Sequence, residues 1–259
     1  MKINQVGIQL YTLRDYMKTK DDIINSLKKV KQIGYQVVEV CGTGEFTQQE
    51  FSQILDDEGL ICSSTHQGGK TILENTMEIV NTLNNLKCKY VVLPSPWGFC
   101  LDTLEDVKQF AKNINEAGKI LHDNGKALLY HNHNIEFLKV GGKLIIDVLF
   151  DETDPKYLQG ELDTYWVQSG GGNPTKWCEK LNNRLPILHI KDYMTIKEEK
   201  WCKPVFAEIG NGNLDFADII AAAEKSGCGI FIVEQDGNFT DPFESIKMSF
   251  DYIKANLCK

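Results

Sequence analysis

The chain has 259 residues, of which 42% are hydrophobic and 25% are charged, and its formal net charge is −8. This composition is ordinary for a globular protein, and the length is near that typical of a (β/α)8 barrel. A chain of this length buries a large core, so it does not need disulfide cross-links for stability. The acidic balance argues against a nucleic-acid partner, because binding to a phosphate backbone depends on clustered lysine and arginine.

Apolar runs and amphipathic helical patterns alternate from one end of the chain to the other. The predicted strands are, in chain order, 3–10, 35–40, 60–65, 89–93, 126–131, 157–163, 186–190 and 229–234. The predicted helices are 22–33, 48–58, 72–86, 103–124, 144–150, 174–181, 216–226 and 242–256. Each strand is followed by a helix without a linker, which predicts a single (β/α)8 TIM barrel domain over residues 1–259. An open doubly wound sheet is disfavoured, since no Gly-x-Gly-x-x-Gly follows the first strand.

The cysteines and the N-terminus bear on the compartment. Eight cysteines are scattered without a C-x-x-C pair, which favours reduced thiols over a zinc cluster. The chain begins with Met1-Lys2-Ile3 and runs directly into an apolar strand, unlike a signal peptide, and no stretch approaches the length of a membrane span. We therefore expect a cytoplasmic protein with no membrane partner.

Several predicted strands end on an ionisable side chain. Strands five to eight end at His131, Asp163, His189 and Glu234, and the second strand ends near Glu39. Because the carboxyl ends of parallel barrel strands meet at one mouth, these groups should converge. Buried charges are costly unless they are paired or bound to metal, so the pattern predicts one divalent cation. Histidine and carboxylate ligands suit manganese, zinc, cobalt or iron without separating them, and manganese is the ion that we favour.

Each of these endings also has an interpretation without a ligand. Asp163 precedes Thr164 and is placed to cap a following helix. His189 is alternatively a satisfied core histidine, and His131 with His133 is alternatively a hydrogen-bonded corner. Four such endings on four successive strands favour the metal interpretation. Side-chain alternation then predicts that Ile232 points into the lumen with Glu234.

Four segments resemble the xylose isomerase-like superfamily of sugar phosphate isomerases and epimerases. They read YHNHNIEF at 130–137, ELDTYWV at 161–167, LHIKD at 188–192 and IVEQD at 232–236. The resemblance covers essentially the whole chain and implies a TIM barrel with one divalent metal at its C-terminal mouth. The family's ligands are Glu, Asp, His and Glu, and Asp163, His189 and Glu234 match the last three. At the first position this chain has His131, with Glu136 as the alternative carboxylate.

The resemblance implies a metal-dependent isomerase or epimerase that removes the α-proton of a small keto sugar and passes through an enediolate. Glu234 is then a ligand and candidate base, His131 or His133 is the second acid or base, and Lys191 holds a substrate oxygen. Glu136 completes the set of candidate catalytic residues. The residues expected to contact substrate are Gln9, Glu39, His66, Trp97, Glu161 and Trp166.

Other functions remain open from the sequence. The histidine at the end of strand five resembles the pattern of the inosose dehydratase branch of the superfamily. The alternative function is therefore a dehydratase or eliminase that acts on an inosose or a 3-keto sugar with the same metal site. A non-catalytic sugar-binding relative is another, whereas endonuclease IV, which shares the fold, needs more histidines and a basic face. The expected partner is a small carbohydrate or cyclitol, and we also expect a homodimer. Phosphorylation of the substrate is open, since Gly210-Asn-Gly212 is interpretable as a phosphate cradle or as a plain turn.

Overall fold

A closed barrel of eight parallel strands forms the centre of the molecule, in a computed structural model that describes residues 1–96, 98–237 and 240–259. The barrel strands are β1 Val6–Gln9, β2 Val37–Val40, β3 Ile61–His66, β4 Tyr90–Leu93, β5 Ala127–His131, β6 Gln159–Asp163, β7 Ile187–Ile190 and β8 Ile230–Val233. Each strand pairs with its neighbours in the chain, and β1 closes the barrel against β8. The predicted (β/α)8 TIM barrel is confirmed.

Helices surround this barrel in the order expected from the sequence. They are α1 Lys20–Ile33, α2 Gln48–Asp57, α3 Gly69–Glu74, α4 Thr76–Asn85, α5 Leu104–Asp123, α6 Ile145–Asp151, α7 Thr164–Ser169, α8 Pro174–Lys180, α9 Phe216–Lys225 and α10 Pro242–Asn256. Three of them begin at capping boxes, in which the hydroxyl of Thr19, Thr47 or Thr103 accepts a hydrogen bond from the backbone N–H three residues later. None of the helices in the described residues has the length and apolarity to span a membrane.

The structure differs from the predicted elements in four places. Residues 3–5 form a 3-10 turn, so the first strand begins at Val6. The predicted helix 72–86 is divided at Asn75, whose φ of −128° breaks the helical path. Helix α7 follows β6 directly, and its six residues are too few to give a periodic signal. An antiparallel hairpin of Asp192–Glu198 and Trp201–Ala207 leaves the end of β7.

The lumen of the barrel contains two layers of side chains. The lower layer, here called the floor, is a separate buried cluster of aliphatic residues: Val37, Val92, Leu129, Ile187 and Ile232. On β2, β5, β7 and β8 the side chain two residues beyond the floor residue belongs to a second, polar layer, as the alternation of strand side chains requires. Residues of β3 and β6 complete this layer. It contains Glu39, His66, His131, Glu161, Asp163, His189 and Glu234. Phe231 and Val233 pack instead in the outer core, so the predicted orientation of strand eight is confirmed.

Candidate metal centre and active site

Strands β5 to β8 bring the four predicted metal ligands together. His131, Asp163, His189 and Glu234 each offer a ligand atom within 4.8 Å of the others, and all four side chains are buried. They come from four successive strands whose carboxyl ends meet at the mouth of the barrel. Two imidazoles and two carboxylates are ligands that manganese, zinc, cobalt and iron all accept, so the donor set fits a divalent metal.

The two carboxylate oxygens of Asp163 have different roles, one as a helix cap and the other as a candidate metal ligand. Its Oδ1 accepts a hydrogen bond from the backbone N–H of Trp166 at 2.9 Å and caps α7. Its Oδ2 is buried without a hydrogen-bond partner among the described residues and lies 3.6 Å from Nζ of Lys191. Burial raises the pKa of Asp163 to about 7. The capping and ligand interpretations therefore both apply to this residue, with one oxygen for each.

His189 lies between the mouth and the interior of the lumen. Its Nδ1 lies 3.1 Å from Oε2 of Glu234, and its Nε2 lies 2.7 Å from Oε1 of Glu39. Burial alone would lower the pKa of His189, but the carboxylates of Glu161 and Glu39 outweigh that effect and hold the pKa well above its usual value. Both ring nitrogens of His189 thus face carboxylates.

Lys191 supplies a buried positive charge beside the ligands. Its Nζ lies 3.1 Å from Oε2 of Glu234 and 2.5 Å from Oδ2 of Asp236. Burial disfavours the charged form of Lys191, but Glu234, Asp163 and Asp236 outweigh burial and raise its pKa above the usual value. The ammonium group therefore remains charged at the mouth and offsets part of the local negative charge.

Unpaired buried polar atoms concentrate at this end of the barrel. In the described part of the chain they are His131 Nδ1, His133 Nδ1, Glu161 Oε1, Asp163 Oδ2 and Trp166 Nε1. Leaving a buried polar group without a partner costs about 1–3 kcal/mol, so such atoms are uncommon in a protein core. A cation or a polar ligand at this place would complete the missing interactions.

A second group of four residues overlaps the first. His66, His131, Glu161 and His189 also offer ligand atoms within 4.8 Å of one another. Burial and the charge of Glu39 raise the pKa of Glu161 to about 8, so its carboxyl is protonated near neutral pH. In the first group Glu234 is ionised, because Lys191 and His189 outweigh burial and hold its pKa well below the usual value. The first group offers two carboxylates and the second offers one, and carboxylate oxygens suit a divalent cation. We therefore favour the first group.

A cavity of about 540 Å³ opens above the ligands, within the size range of small-molecule sites. His131 and Glu234 form part of its wall, together with His66, His133 and Asp236. Burial and the charge of Lys191 lower the pKa of His133 to about 4. The cavity is thus lined by a neutral imidazole, charged groups and two of the candidate ligands.

Other predicted site residues lie around this centre. The ring of Trp166 packs 5.1 Å from that of His133 and contributes to an adjoining cavity, whereas Trp97 lies outside the described residues. Glu136 accepts hydrogen bonds from the Tyr130 hydroxyl and the His133 backbone N–H, each at 2.8 Å. Both of its oxygens are therefore engaged away from the ligand groups, and His131 stands with the other three ligands.

Three residues predicted to contact substrate lie beneath the cavity. Gln9, Glu39 and Glu161 are fully buried, and they are not among the described residues that line the cavity wall. Gln9 donates to Oε1 of Glu39 at 2.6 Å, and Glu161 lies 3.0 Å from His66. These three side chains therefore face other protein groups and not the cavity.

Sequence reasoning did not single out Asp236 and Arg14, which line the cavity. Asp236 lies two residues beyond Glu234, so the same alternation that predicts the ligands points to it. Arg14 ends the segment GIQLYTLR at 7–14, which fits the family pattern. Its guanidinium donates hydrogen bonds to the backbone oxygens of Tyr11 and Asp236, at 3.0 and 2.8 Å.

The glycine turn at 210–212 already holds an anion from the chain itself. The Asp192 carboxylate accepts hydrogen bonds from the backbone N–H groups of Gly210 and Gly212, at 3.0 and 2.9 Å, and from that of Leu214. A Cβ atom at Gly212 would lie 2.3 Å from Oδ1 of Asp192, so glycine is required for this close approach. These contacts favour the plain-turn interpretation over the phosphate cradle.

Comparison with known proteins identifies relatives of this chain. An inosose dehydratase from Clostridium beijerinckii is 27% identical over 164 residues, which are 58% of this chain and 54% of that protein. The chain spans about half the length of the curated relatives that it matches.

Among solved structures, a sugar phosphate isomerase/epimerase from Parabacteroides distasonis is 26% identical, with a TM-score of 0.83 over 98% of this chain and 94% of that one. A protein from Mycobacterium smegmatis in complex with magnesium shares the fold, with a TM-score of 0.73 at 14% identity over 98% of this chain and 97% of that one. The family model for the xylose isomerase-like TIM barrel matches residues 27–255. The chain therefore belongs to the xylose isomerase-like TIM barrel family.

Proposed function

We propose that this protein is a divalent-metal-dependent isomerase or epimerase that removes and returns the proton beside the carbonyl of a small keto sugar or cyclitol. The observation that carries the proposal is the group of His131, Asp163, His189 and Glu234, which lies at the base of a cavity of about 540 Å³. Proton abstraction beside a carbonyl needs a base and a group that stabilises the oxygen on which charge develops. The mouth of the barrel supplies both kinds of group.

His131, Asp163, His189 and Glu234 would hold the ion, for which we favour manganese. When bound, the metal supplies Lewis-acid polarisation of a substrate oxygen. Glu234 is ionised and lines the cavity, so it is able to accept a proton from substrate as well as to bind the ion. His133 is neutral near pH 7 and has a buried Nδ1 without a hydrogen-bond partner among the described residues, which makes it the second proton acceptor.

Lys191 is the group that we assign to the developing charge on the substrate oxygen. Its ammonium already lies between Glu234 and Asp236, so its position is fixed before substrate enters. A fixed charge in a buried site stabilises an oxyanion without the cost of reorienting water. The side chain is 1% exposed and lies behind Glu234 and Asp236, which line the cavity, so its charge would act on the substrate oxygen from behind that wall.

We propose that the substrate is a neutral polyhydroxy ketone without a phosphate group. Glu234 and Asp236 line the cavity and present oxygens that accept hydrogen bonds from hydroxyl groups. The guanidinium of Arg14 is directed to backbone oxygens, and the Gly210–Gly212 turn is filled by Asp192. These contacts support hydroxyl recognition over phosphate recognition.

Dehydration is the second candidate outcome. It is supported by the inosose dehydratase relatives and by the two wall imidazoles outside the ligand group, His66 and His133. Loss of a β-hydroxyl needs a proton donor. His133 is neutral and does not provide one, whereas Glu39 and Glu161 outweigh burial and hold the pKa of His66 well above its usual value. A protonated His66 would be the donor in that reaction.

The test is incubation of manganese-loaded protein with a panel of ketoses and inososes in deuterated water, followed by NMR. Deuterium incorporation with all hydroxyls retained supports the isomerase or epimerase, and incorporation with loss of water supports the dehydratase. Glu234→Gln should abolish incorporation, whereas Glu244→Gln on the exposed surface of α10 should not. Absence of exchange on every compound with the loaded protein would refute the enzymatic proposal.

A further inference from the structure

We infer that Glu39 is a positioning residue for the metal centre, which fixes the ring of His189 so that Nδ1 faces the ion. This inference rests on the proposed metal binding, and it assigns Glu39 a role other than contact with substrate. It concerns one buried carboxylate, its two supports and the imidazole in front of it. The role depends on which nitrogen of His189 carries a proton.

The two ring nitrogens of His189 have unequal surroundings. Nδ1 lies 3.1 Å from Oε2 of Glu234, on the side of the candidate ligands, and Nε2 lies 2.7 Å from Oε1 of Glu39. A metal-ligating imidazole is neutral and carries a single N–H, which is commonly donated to a carboxylate on the far side of the ring. With that proton on Nε2 and donated to Glu39, the lone pair of Nδ1 is directed toward the other ligands.

Glu39 is itself held from both sides. Gln9, at the end of β1, donates its amide N–H to Oε1 at 2.6 Å. Ser64, on β3, donates its hydroxyl to Oε2 at 2.5 Å. Because β1 and β3 are the neighbours of β2 in the barrel, the carboxylate is supported from the strands on either side. Glu39 is fully buried, so its orientation is set by protein contacts and not by water.

Glu161 is the other carboxylate near Nε2 of His189, but its contacts are divided. Its Oε2 lies 3.2 Å from His189, 3.0 Å from His66 and 3.3 Å from His131. Oε1 of Glu39 also lies 3.0 Å from Nε2 of His66. Its contact with His189, at 2.7 Å, is nevertheless shorter than that of Glu161, and its supports from Gln9 and Ser64 fix both of its oxygens. We therefore assign the orientation of His189 to Glu39.

The experiment measures metal affinity separately from catalysis. Manganese dissociation constants are obtained by chelator competition for the wild-type protein, Glu39→Gln and the exposed control Glu45→Gln. Loss of a carboxylate that orients a ligating histidine typically weakens metal affinity about 10–100-fold. We expect that loss for Glu39→Gln, wild-type affinity for Glu45→Gln, and an unchanged KM for Glu39→Gln at saturating manganese.

A second variant, Ser64→Ala, tests the inference even where Glu39→Gln does not fold. It removes one support of Glu39 and should weaken manganese binding about 5-fold, the loss that corresponds to one hydrogen bond of about 1 kcal/mol. Wild-type affinity in both variants, or a raised KM with unchanged affinity, overturns the inference. Failure of the wild-type protein to bind any divalent ion would instead refute the proposed function.

Discussion

The floor and the polar layer share four strands of the same lumen, yet they have opposite chemistry. On β2, β5, β7 and β8 an aliphatic floor residue is followed two positions later by a charged or imidazole side chain. On β8 these residues are Ile232 and Glu234, and on β7 they are Ile187 and His189. On these strands, therefore, a residue that packs in the core and a residue of the candidate site are only two positions apart. Substitutions at the two levels should therefore have different consequences for activity and for stability.

The largest effect is expected from Glu234→Gln, in the polar layer. Removal of a general base costs about 10²–10⁴-fold in rate, and here a candidate ligand is lost as well. The amide has nearly the same shape as the carboxylate, so the fold should survive. Deuterium exchange rates measured beside thermal unfolding curves would test this. A Glu234→Gln protein with the wild-type exchange rate would contradict the assignment of catalysis to the polar layer.

Ile232→Ala, two residues earlier on the same strand, should do the reverse. Deletion of a fully buried aliphatic side chain costs about 2–5 kcal/mol, because a cavity remains in the floor. The free energy of unfolding, from urea denaturation, should fall by that amount, whereas exchange activity per folded molecule should stay within a few-fold of wild type. A large loss of activity in fully folded protein would show that the floor also takes part in the chemistry.

Metal should change the free energy of unfolding only when the ligands in the polar layer are intact, whether or not the floor is altered. An ion that binds only the folded chain, at a free concentration about a hundred times its dissociation constant, raises the free energy of unfolding by about 2.7 kcal/mol. Manganese should therefore raise the melting temperature of the wild-type protein and of Ile232→Ala, and a chelator should reverse the gain. Asp163→Asn keeps an oxygen for the helix cap and loses a ligand charge, so its melting temperature should respond much less. An equal response in Asp163→Asn would contradict the assigned ligand set.

The smallest effect is expected from inorganic phosphate, which should neither inhibit exchange nor raise the melting temperature. The amides of Gly210 and Gly212 are already bound to Asp192, and the cavity carries two carboxylates. A competition assay at millimolar phosphate, with sodium chloride at matched ionic strength as control, measures this. Competitive inhibition by phosphate would restore the sugar-phosphate interpretation.

The part of the site that follows strand periodicity could be predicted from the sequence. Asp163, His189 and Glu234 are expected at one mouth because each ends or directly follows an apolar run and because parallel strands converge there. The partner of His189 could not be predicted in the same way. Glu39 reaches His189 across the lumen, 150 residues away in the chain. Strand alternation gives the face of a side chain but not its depth or its partner.

Local contacts between distant segments explain the remaining differences. The Asp192 carboxylate accepts hydrogen bonds from backbone N–H groups of residues 210–214, whereas the sequence indicates only a glycine turn there. Helix α7 has six residues and gives no periodic signal, so its one signal in the sequence is the cap at Asp163, which competes there with the ligand interpretation. The structure shows that the cap leaves Oδ2 of the same carboxylate free of hydrogen bonds to described residues.

The floor also has a kinetic consequence. Its aliphatic side chains are packed across the lumen directly beneath the candidate ligands, so an ion reaches them from the cavity side. A substrate that binds in this cavity would enter by the same opening, after the ion has taken its place. We therefore expect an ordered mechanism in which metal binds before substrate, and in which bound substrate slows the departure of the ion.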